Sequence, residues 1–296
     1  MHAFESHISE PQASIQCPLP GITMPEFVSL QDVSLRYDVS ESTLALSGAT
    51  MSIKRGQFAA VVGPSGCGKS SLMKLVTGLK RATGGTVSVA GKRVNGPLKI
   101  VGMAFQNPTL LPWRRLLSNL MLPLEIVQPH RGRLRTHRGE YIEKARDLLR
   151  TVGLEEFEDR YPWMLSGGMQ QRANLCRSLI HEPELLMLDE PFGALDAFTR
   201  EELWDVLQSI WMTRKFTTVL VTHDLREAAY LADVIFVMSA RPGRVIATHQ
   251  VDLPRPRNIE TTFDPHFIDI VHKIRNEIAQ VRSEGRAAAA RTLKAV

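Results

Sequence analysis

Five apolar residues, Phe58-Ala59-Ala60-Val61-Val62, run into Gly63-Pro64-Ser65-Gly66-Cys67-Gly68-Lys69-Ser70, and Ser71-Leu72-Met73-Lys74-Leu75-Val76 follows with helical character. A buried strand that feeds a glycine-rich turn and then a helix commits the chain to an α/β architecture. The eight residues from Gly63 to Ser70 fit G-x-x-x-x-G-K-[ST] at every fixed position. The glycines let the backbone curl so that successive N–H groups point at one anion. Lys69 is placed to reach the outer phosphates of a nucleotide and the Ser70 hydroxyl to sit on Mg²⁺. The helix that follows turns its N-terminus toward the same anion. A glycine-rich turn that fits by chance is the competing explanation, and the lysine, the serine and the strand–loop–helix context weigh against it.

Composition narrows the rest. Hydrophobic residues make up 44% of the 296 residues and charged residues 23%, an ordinary globular profile. No apolar run is long enough to span a bilayer, so work at a membrane would need another chain to do the spanning. Met1 to His7 has neither the positive start nor the apolar core of a secretory signal. Cys17, Cys67 and Cys176 are scattered and lack metal spacing, which points to a reducing compartment without a disulfide framework. A net charge of +5 and a pI near 9.2 suit nucleic acid or anionic lipid and identify neither.

Residues 1–25 are polar and without periodicity, and are expected to form a flexible tail. Strand-like pieces follow at Val28–Leu30, Val33–Tyr37, Ala49–Ile53, Thr86–Val89 and Ile100–Phe105. The character then turns helical. Ile142, Ala145, Leu148, Leu149 and Val152 recur at helical spacing with Gly153 placed to end that helix, and a second helix is expected over Gly167–Ile180 with Ser166 as N-cap. Leu185–Asp189, Thr217–Thr222 and Val234–Met238 are apolar nearly throughout, as strands covered on both faces are. The expected domain, 26–250, is a mostly parallel α/β core interrupted by a helical subdomain near 107–178. An extension follows over 251–296. Its Phe267–Val281 stretch reads as a helix with Ile268, Val271, Ile274 and Ile278 along one side, before Gly285 and an Ala-Arg tail. The cluster His130–Arg138 is either a solvated loop or a contact for lipid head groups or an acidic partner.

Two further groups carry chemistry. Leu185–Leu188 place Asp189 at the carboxyl end of a buried strand, where ligands sit in open α/β sheets. A carboxylate there can hold Mg²⁺, and Glu190 beside it can polarise a water for attack on a γ-phosphate. Ser166-Gly167-Gly168 at the head of a helix offers a hydroxyl, backbone N–H groups and a positive helix end. One phosphate could use both this device and the Gly63–Ser70 loop only if the two face each other across an interface.

The whole set resembles the ATP-binding subunits of ABC transporters over residues 27–250: the phosphate loop, Phe105-Gln106, Leu165–Gln170, Leu185–Glu190, Ala194-Leu195-Asp196 and Thr222-His223-Asp224 stand in the family's order. The resemblance implies a P-loop NTPase (RecA-like) core with a mixed sheet, an antiparallel β piece and a helical subdomain. It also implies a homodimer closing head to tail on two ATP molecules. In that arrangement Gly63, Pro64, Ser65, Gly66, Cys67, Gly68, Lys69, Ser70 and Ser71 cradle the phosphates. Ser70, Gln106 and Asp189 surround Mg²⁺. Glu190 is the general base and His223 holds the γ-phosphate and attacking water in line. Ser166, Gly167, Gly168, Gln170 and Asp196 belong to the interface side. Tyr37 resembles the aromatic residue that stacks on adenine, though a strand tyrosine can equally be packing.

Leu110-Leu111-Pro112-Trp113, Glu190–Arg200 and Ser239–Arg244 resemble the nitrate/sulfonate/taurine class of bacterial importers. That implies integral-membrane permease subunits, an indirectly coupled periplasmic solute-binding protein, a peripheral place on the cytoplasmic face of the inner membrane, and no nucleic-acid partner. Asn107–Arg114 would dock the permease, or its apolar residues would pack locally. A soluble ABC ATPase acting on nucleic acid or ribosomes, or an exporter or regulatory cassette, is the alternative. Cys67, beside Lys69 at a helix N-terminus, is expected to have a lowered pKa and ATP-protected reactivity, or else to be a small filler.

Overall fold

The computed structural model describes residues 26–37, 43–193 and 195–294; the 1–25 stretch and Ala194 lie outside the described residues. Six strands form the central sheet. They are β3 (Phe58–Val62), β6 (Val101–Ala104), β7 (Leu185–Asp189), β8 (Thr217–Val221), β9 (Val234–Met238) and β10 (Val245–Gln250), in the spatial order β10-β9-β3-β8-β7-β6. All pairings are parallel except β9 with β10. A second, antiparallel sheet joins β1 (Glu26–Tyr37), β2 (Thr43–Lys54), β4 (Gly84–Val89) and β5 (Lys92–Arg93) in the order β2-β1-β4-β5. The two pieces expected at Val28 and Val33 are one strand, irregular where Asp32 takes a φ of 51°.

Side-chain alternation along the central strands divides the molecule into two cores. Phe58, Ala60, Val62, Leu186, Leu188 and Leu220 face a core shared with the helices, whereas Ala59, Val61, Leu185, Met187, Val219 and Val221 face one shared with the antiparallel sheet. This is why the strands read as uninterrupted apolar runs: each buries both faces. The helix after the phosphate loop, α1 (Lys69–Val76), packs in the second core through Leu72, Met73, Leu75 and Val76.

The helical part comprises α2 (Leu116–Ile126), α3 (His130–Arg133), α4 (Arg138–Thr151) and α5 (Gly167–Leu179). Gly153 ends α4 at a φ of 68°, and Leu154 N donates back to Leu149 O at 2.8 Å. The basic cluster is held by His130, whose ring lies 3.0 Å from Tyr141 Oη and 3.2 Å from His181 O, while Arg131, Arg133, Arg135 and Arg138 are exposed.

The C-terminal extension is tied to the core by a buried cation. Arg257, 2% exposed, donates to the carbonyls of Ala229, Tyr230 and Ala232 and to those of Val251 and Leu253. The first three carbonyls close the end of α7 (Leu225–Leu231), where a positive charge also complements the helix dipole. Burial lowers the Arg257 pKa to about 10. The final helix, α8 (Pro265–Lys294), departs from the expected face and length. Phe267 and Ile274 are buried, with Ile270, Val271 and Ile278 packed beside them, while Ile268 is 43% exposed. The aromatic residue one position earlier outcompetes Ile268 for the core, which rotates the buried stripe. The helix also runs through Gly285 rather than ending before it. Among the described residues no helix is long and apolar enough to cross a membrane.

Candidate active site

The phosphate loop is a cramped turn between β3 and α1. Gly66 and Gly68 take φ of 75° and 102°, where an L side chain is strained. A Cβ on Gly68 would lie 2.8 Å from Leu46 Cδ2 and 2.9 Å from Ala45 O, so β2 presses on the loop from one side. From another side comes Gly243, whose added Cβ would stand 1.9 Å from Cys67 O. Gly243 is fixed by bonds from its N to Ala45 O at 2.9 Å and from Ser47 N to its O at 3.0 Å. Lys69 is 7% exposed, and its Nζ donates to Gly63 O at 2.9 Å and Pro64 O at 3.1 Å.

Cys67 corrects an expectation. It is 1% exposed, and burial raises its pKa, outweighing the charge and hydrogen bonds of Lys69 that lower it. The thiol packs beneath the loop, and neither the helix N-terminus nor Lys69 brings its pKa below the ordinary value. Tyr37 ends β1 with its hydroxyl 3.1 Å from Ser71 Oγ, so these two sequence-predicted residues meet each other. Its ring is partly buried against the second core, with Lys80 Nζ 5.6 Å from the ring centroid.

Asp189 ends β7 beside the loop. Burial raises its pKa, as does the charge of Glu190, while a hydrogen bond from Ser70 and the charges of Lys69 and Lys74 oppose this. Glu190 follows at a φ of 46°, a region that non-glycine residues avoid, held by its N–H to Val221 O at 2.8 Å. Its Oε2 lies 3.3 Å from His223 Nδ1 and accepts from Gln106 Nε2 at 3.4 Å. Residues from β7, from the turn after β8 and from the segment after β6 thus converge on one carboxylate. The site's oxygen donors, a hydroxyl, a carboxamide and a carboxylate, suit a hard cation such as Mg²⁺. The Asp189–Glu190 repulsion is one that a divalent cation relieves.

Three residues that sequence reasoning missed hold Gln106 in place. Gln171 Nε2 donates to Gln106 O, Asn174 Nδ2 to Phe105 O at 3.1 Å, and Arg177 to Thr109 O and Oγ1 at 2.6 and 2.9 Å. They lie on one face of α5, so the helix headed by Ser166 also carries the segment containing Gln106. Their regular spacing of three along an otherwise buried helix was the available signal. Asn119, fully buried, does similar work for the neighbouring turn by bonding Leu111 N at 2.6 Å and Arg114 O at 2.9 Å. In that turn Leu110 packs inward while Trp113 stands 71% exposed.

The other anion device faces elsewhere. Ser166 caps α5 by accepting from Met169 N at 3.3 Å. With Gly167, Gly168, Asp196 and Thr199 it lines a cavity of about 510 Å³, and no phosphate-loop residue lines that cavity. Gln170 does not point into it, because its amide donates back to Pro162 O and Leu165 O at 3.0 and 3.2 Å, bracing the turn before the helix. Asp196 accepts from Thr199 N at 3.0 Å as the N-cap of α6 (Ala197–Arg214), and that bond lowers its pKa.

The ABC transporter family profile matches residues 46–193. The chain is 42% identical over 238 residues to the aliphatic sulfonates import ATP-binding protein SsuB of Bacillus licheniformis, covering 80% of this chain and 88% of that one. It is 43% identical over 232 residues to the ABC transporter ATP-binding protein MJ0412 of Methanocaldococcus jannaschii, covering 78% and 83%. Among solved structures it resembles the dimeric, post-hydrolysis ATP-binding cassette MJ0796 bound to ADP and phosphate, with a TM-score of 0.65 and 29% identity over 77% of this chain and all of that one. Identity of 42% along 80% of the chain is far more than a shared fold requires, and the protein belongs to the ATP-binding cassettes of the ABC transporter family, which are ATPases.

Proposed function

We propose that two copies of this chain close on two ATP molecules and that the cycle energises a bacterial importer for a small anionic solute of the sulfonate, nitrate or taurine class. One observation carries the dimer: the phosphate loop and the Ser166 cavity do not meet within a chain. A triphosphate seated on Lys69 can reach a serine-capped helix only if a second copy supplies it, and the similar cassette MJ0796 is dimeric. Lys69 neutralises phosphate charge. Ser70, Asp189 and Gln106 would hold Mg²⁺, which would supply neutralisation of phosphate charge there. Glu190 takes the proton of the attacking water, and His223, 3.3 Å away, fixes the γ-phosphate and that water. Tyr37 stacks on the adenine, and Ser166, Gly168 and Asp196 act across the interface.

ATP stabilises the closed pair because it contacts both halves, and hydrolysis removes the bridge. The permease docks on the turn after Gln106, a reading supported by exposed Trp113 in that turn, whose Leu111 and Arg114 are braced by Asn119. The protein then sits peripherally on the cytoplasmic membrane face, with a periplasmic binding protein delivering the solute. The solute class rests on SsuB relatives. Uptake of a radiolabelled alkanesulfonate in a deletion strain tests it: loss of uptake, restored by this gene and not by its Glu190→Gln variant, is the expected result. Undiminished uptake in the deletion strain rejects the solute assignment.

A further inference from the structure

Behind the His223–Glu190 contact lies a cavity of about 40 Å³, lined among others by Glu190, Arg200, Thr222, His223, Asp224 and Glu227. Two of its lining side chains each keep one buried polar atom without a partner: Nε of Arg200, a donor, and Oε1 of Glu227. Their remaining polar atoms are engaged. Arg200 Nη1 donates to Asp224 Oδ2 at 3.1 Å and Nη2 to Leu195 O at 3.0 Å. Glu227 Oε2 accepts from Thr222 Oγ1 at 2.7 Å, and that oxygen accepts from Asp224 N at 3.0 Å. Buried polar atoms in folded proteins find a partner or a water. A water needs on the order of 10–15 Å³, so this cavity admits water and excludes organic ligands.

We propose that Arg200 and Glu227 hold an ordered water in this cavity and act as positioning residues for His223. The assignment rests on the role given to His223 above. His223 is largely exposed and touches Glu190 at 3.3 Å, so its placement is inherited from its chain neighbours. Thr222, before it, is held by Glu227. Asp224, after it, is held by Arg200 and caps α7 through Arg226 N and Glu227 N. Arg200 also grips the carbonyl of Leu195, in the turn whose Asp196 lines the Ser166 cavity. A shift of that partner-facing turn therefore reaches the His223 segment through one guanidinium and one water. Burial pushes the Glu227 carboxyl up to about 8, so it carries a proton at neutral pH and its amide is a close mimic.

The test is kinetic and crystallographic. Glu227→Leu removes both carboxyl oxygens, the acceptor of Thr222 Oγ1 and the anchor of the water, and puts an apolar side chain in their place. It should lower kcat for ATP about tenfold, as a small misplacement of a reacting group does, with KM and fluorescent-ATP affinity within about twofold. Glu227→Gln should restore kcat. A high-resolution crystal structure of the wild-type protein should show water density within about 3.2 Å of both Arg200 Nε and Glu227 Oε1. Wild-type kcat in a folded Glu227→Leu protein, failure of Gln to rescue, or a dry cavity would overturn the proposal. Should the Leu variant fail to fold, Arg200→Met is measured in its place with the same expected kcat loss, and wild-type kcat there overturns the proposal. Glu190→Gln separates the two levels: if it still turns over, the site assignment has failed, whereas an inactive Glu190→Gln beside a fully active Glu227→Leu rejects the positioning role alone.

Discussion

The phosphate loop buries Lys69 and Cys67 beneath an exposed rim of Ser65, Gly66 and Ser70, with Lys69 7% exposed and bonded to the carbonyls of Gly63 and Pro64, and with β2 and Gly243 pressed against its backbone. The Ser166 helix does the reverse. Its cap and glycines open onto a cavity of about 510 Å³ that no phosphate-loop residue lines. The first device is finished within one chain, whereas the second is half of a site. The contrast teaches where each half should be vulnerable: the loop to changes that disturb packing beneath it, the helix to changes that alter what it presents to a second copy.

The largest effect is expected at the carboxylate between them. Glu190→Gln should bind ATP yet hydrolyse it at least ~10²-fold more slowly, measured as phosphate release beside nucleotide affinity; near-normal turnover would remove Glu190 from its role. Gly243→Ala attacks the loop from behind. Its Cβ would meet Cys67 O at 1.9 Å, so one of the two segments must move. ATP affinity should fall about tenfold, equivalent to ~1.4 kcal/mol, and unchanged affinity in a nucleotide titration would show that Gly243 does not brace the loop. Ser166→Ala should cost about 1 kcal/mol through the lost cap, read in a denaturant melt, and should reduce turnover more than it reduces nucleotide binding to the monomer. The smallest effect is at Cys67. Because its thiol is buried and protonated more firmly than usual, thiol reagents should leave it unlabelled in the native protein, with or without ATP. Rapid labelling of native protein would mean that the loop is less closed than its packing implies.

Much of this was legible in the sequence for physical reasons. The central strands announce themselves because both faces are buried, and Ser166, Gly153 and the phosphate-loop glycines mark points where backbone geometry admits few residues. Cys67 misled because a helix N-terminus and a lysine argue for a thiolate only where water is near, and residue order carries no information on desolvation. Ile268 misled because four apolar residues at helical spacing cannot say whether Phe267 next door takes the core. Gln171, Asn174, Arg177 and Asn119 went unread because their partners are backbone carbonyls and amides of segments distant in sequence or of irregular turns. Arg257 is the same case: a cation among carbonyls has no sequence signature.

The central claim is that one chain's phosphate loop needs another chain's Ser166 helix. Light scattering on the Glu190→Gln protein tests it directly. The account predicts monomers without nucleotide, dimers with ATP, and monomers again when Ser166→Glu is added under the same ATP concentration. A protein that stays monomeric with saturating ATP, or whose dimer ignores the Ser166 change, would contradict it.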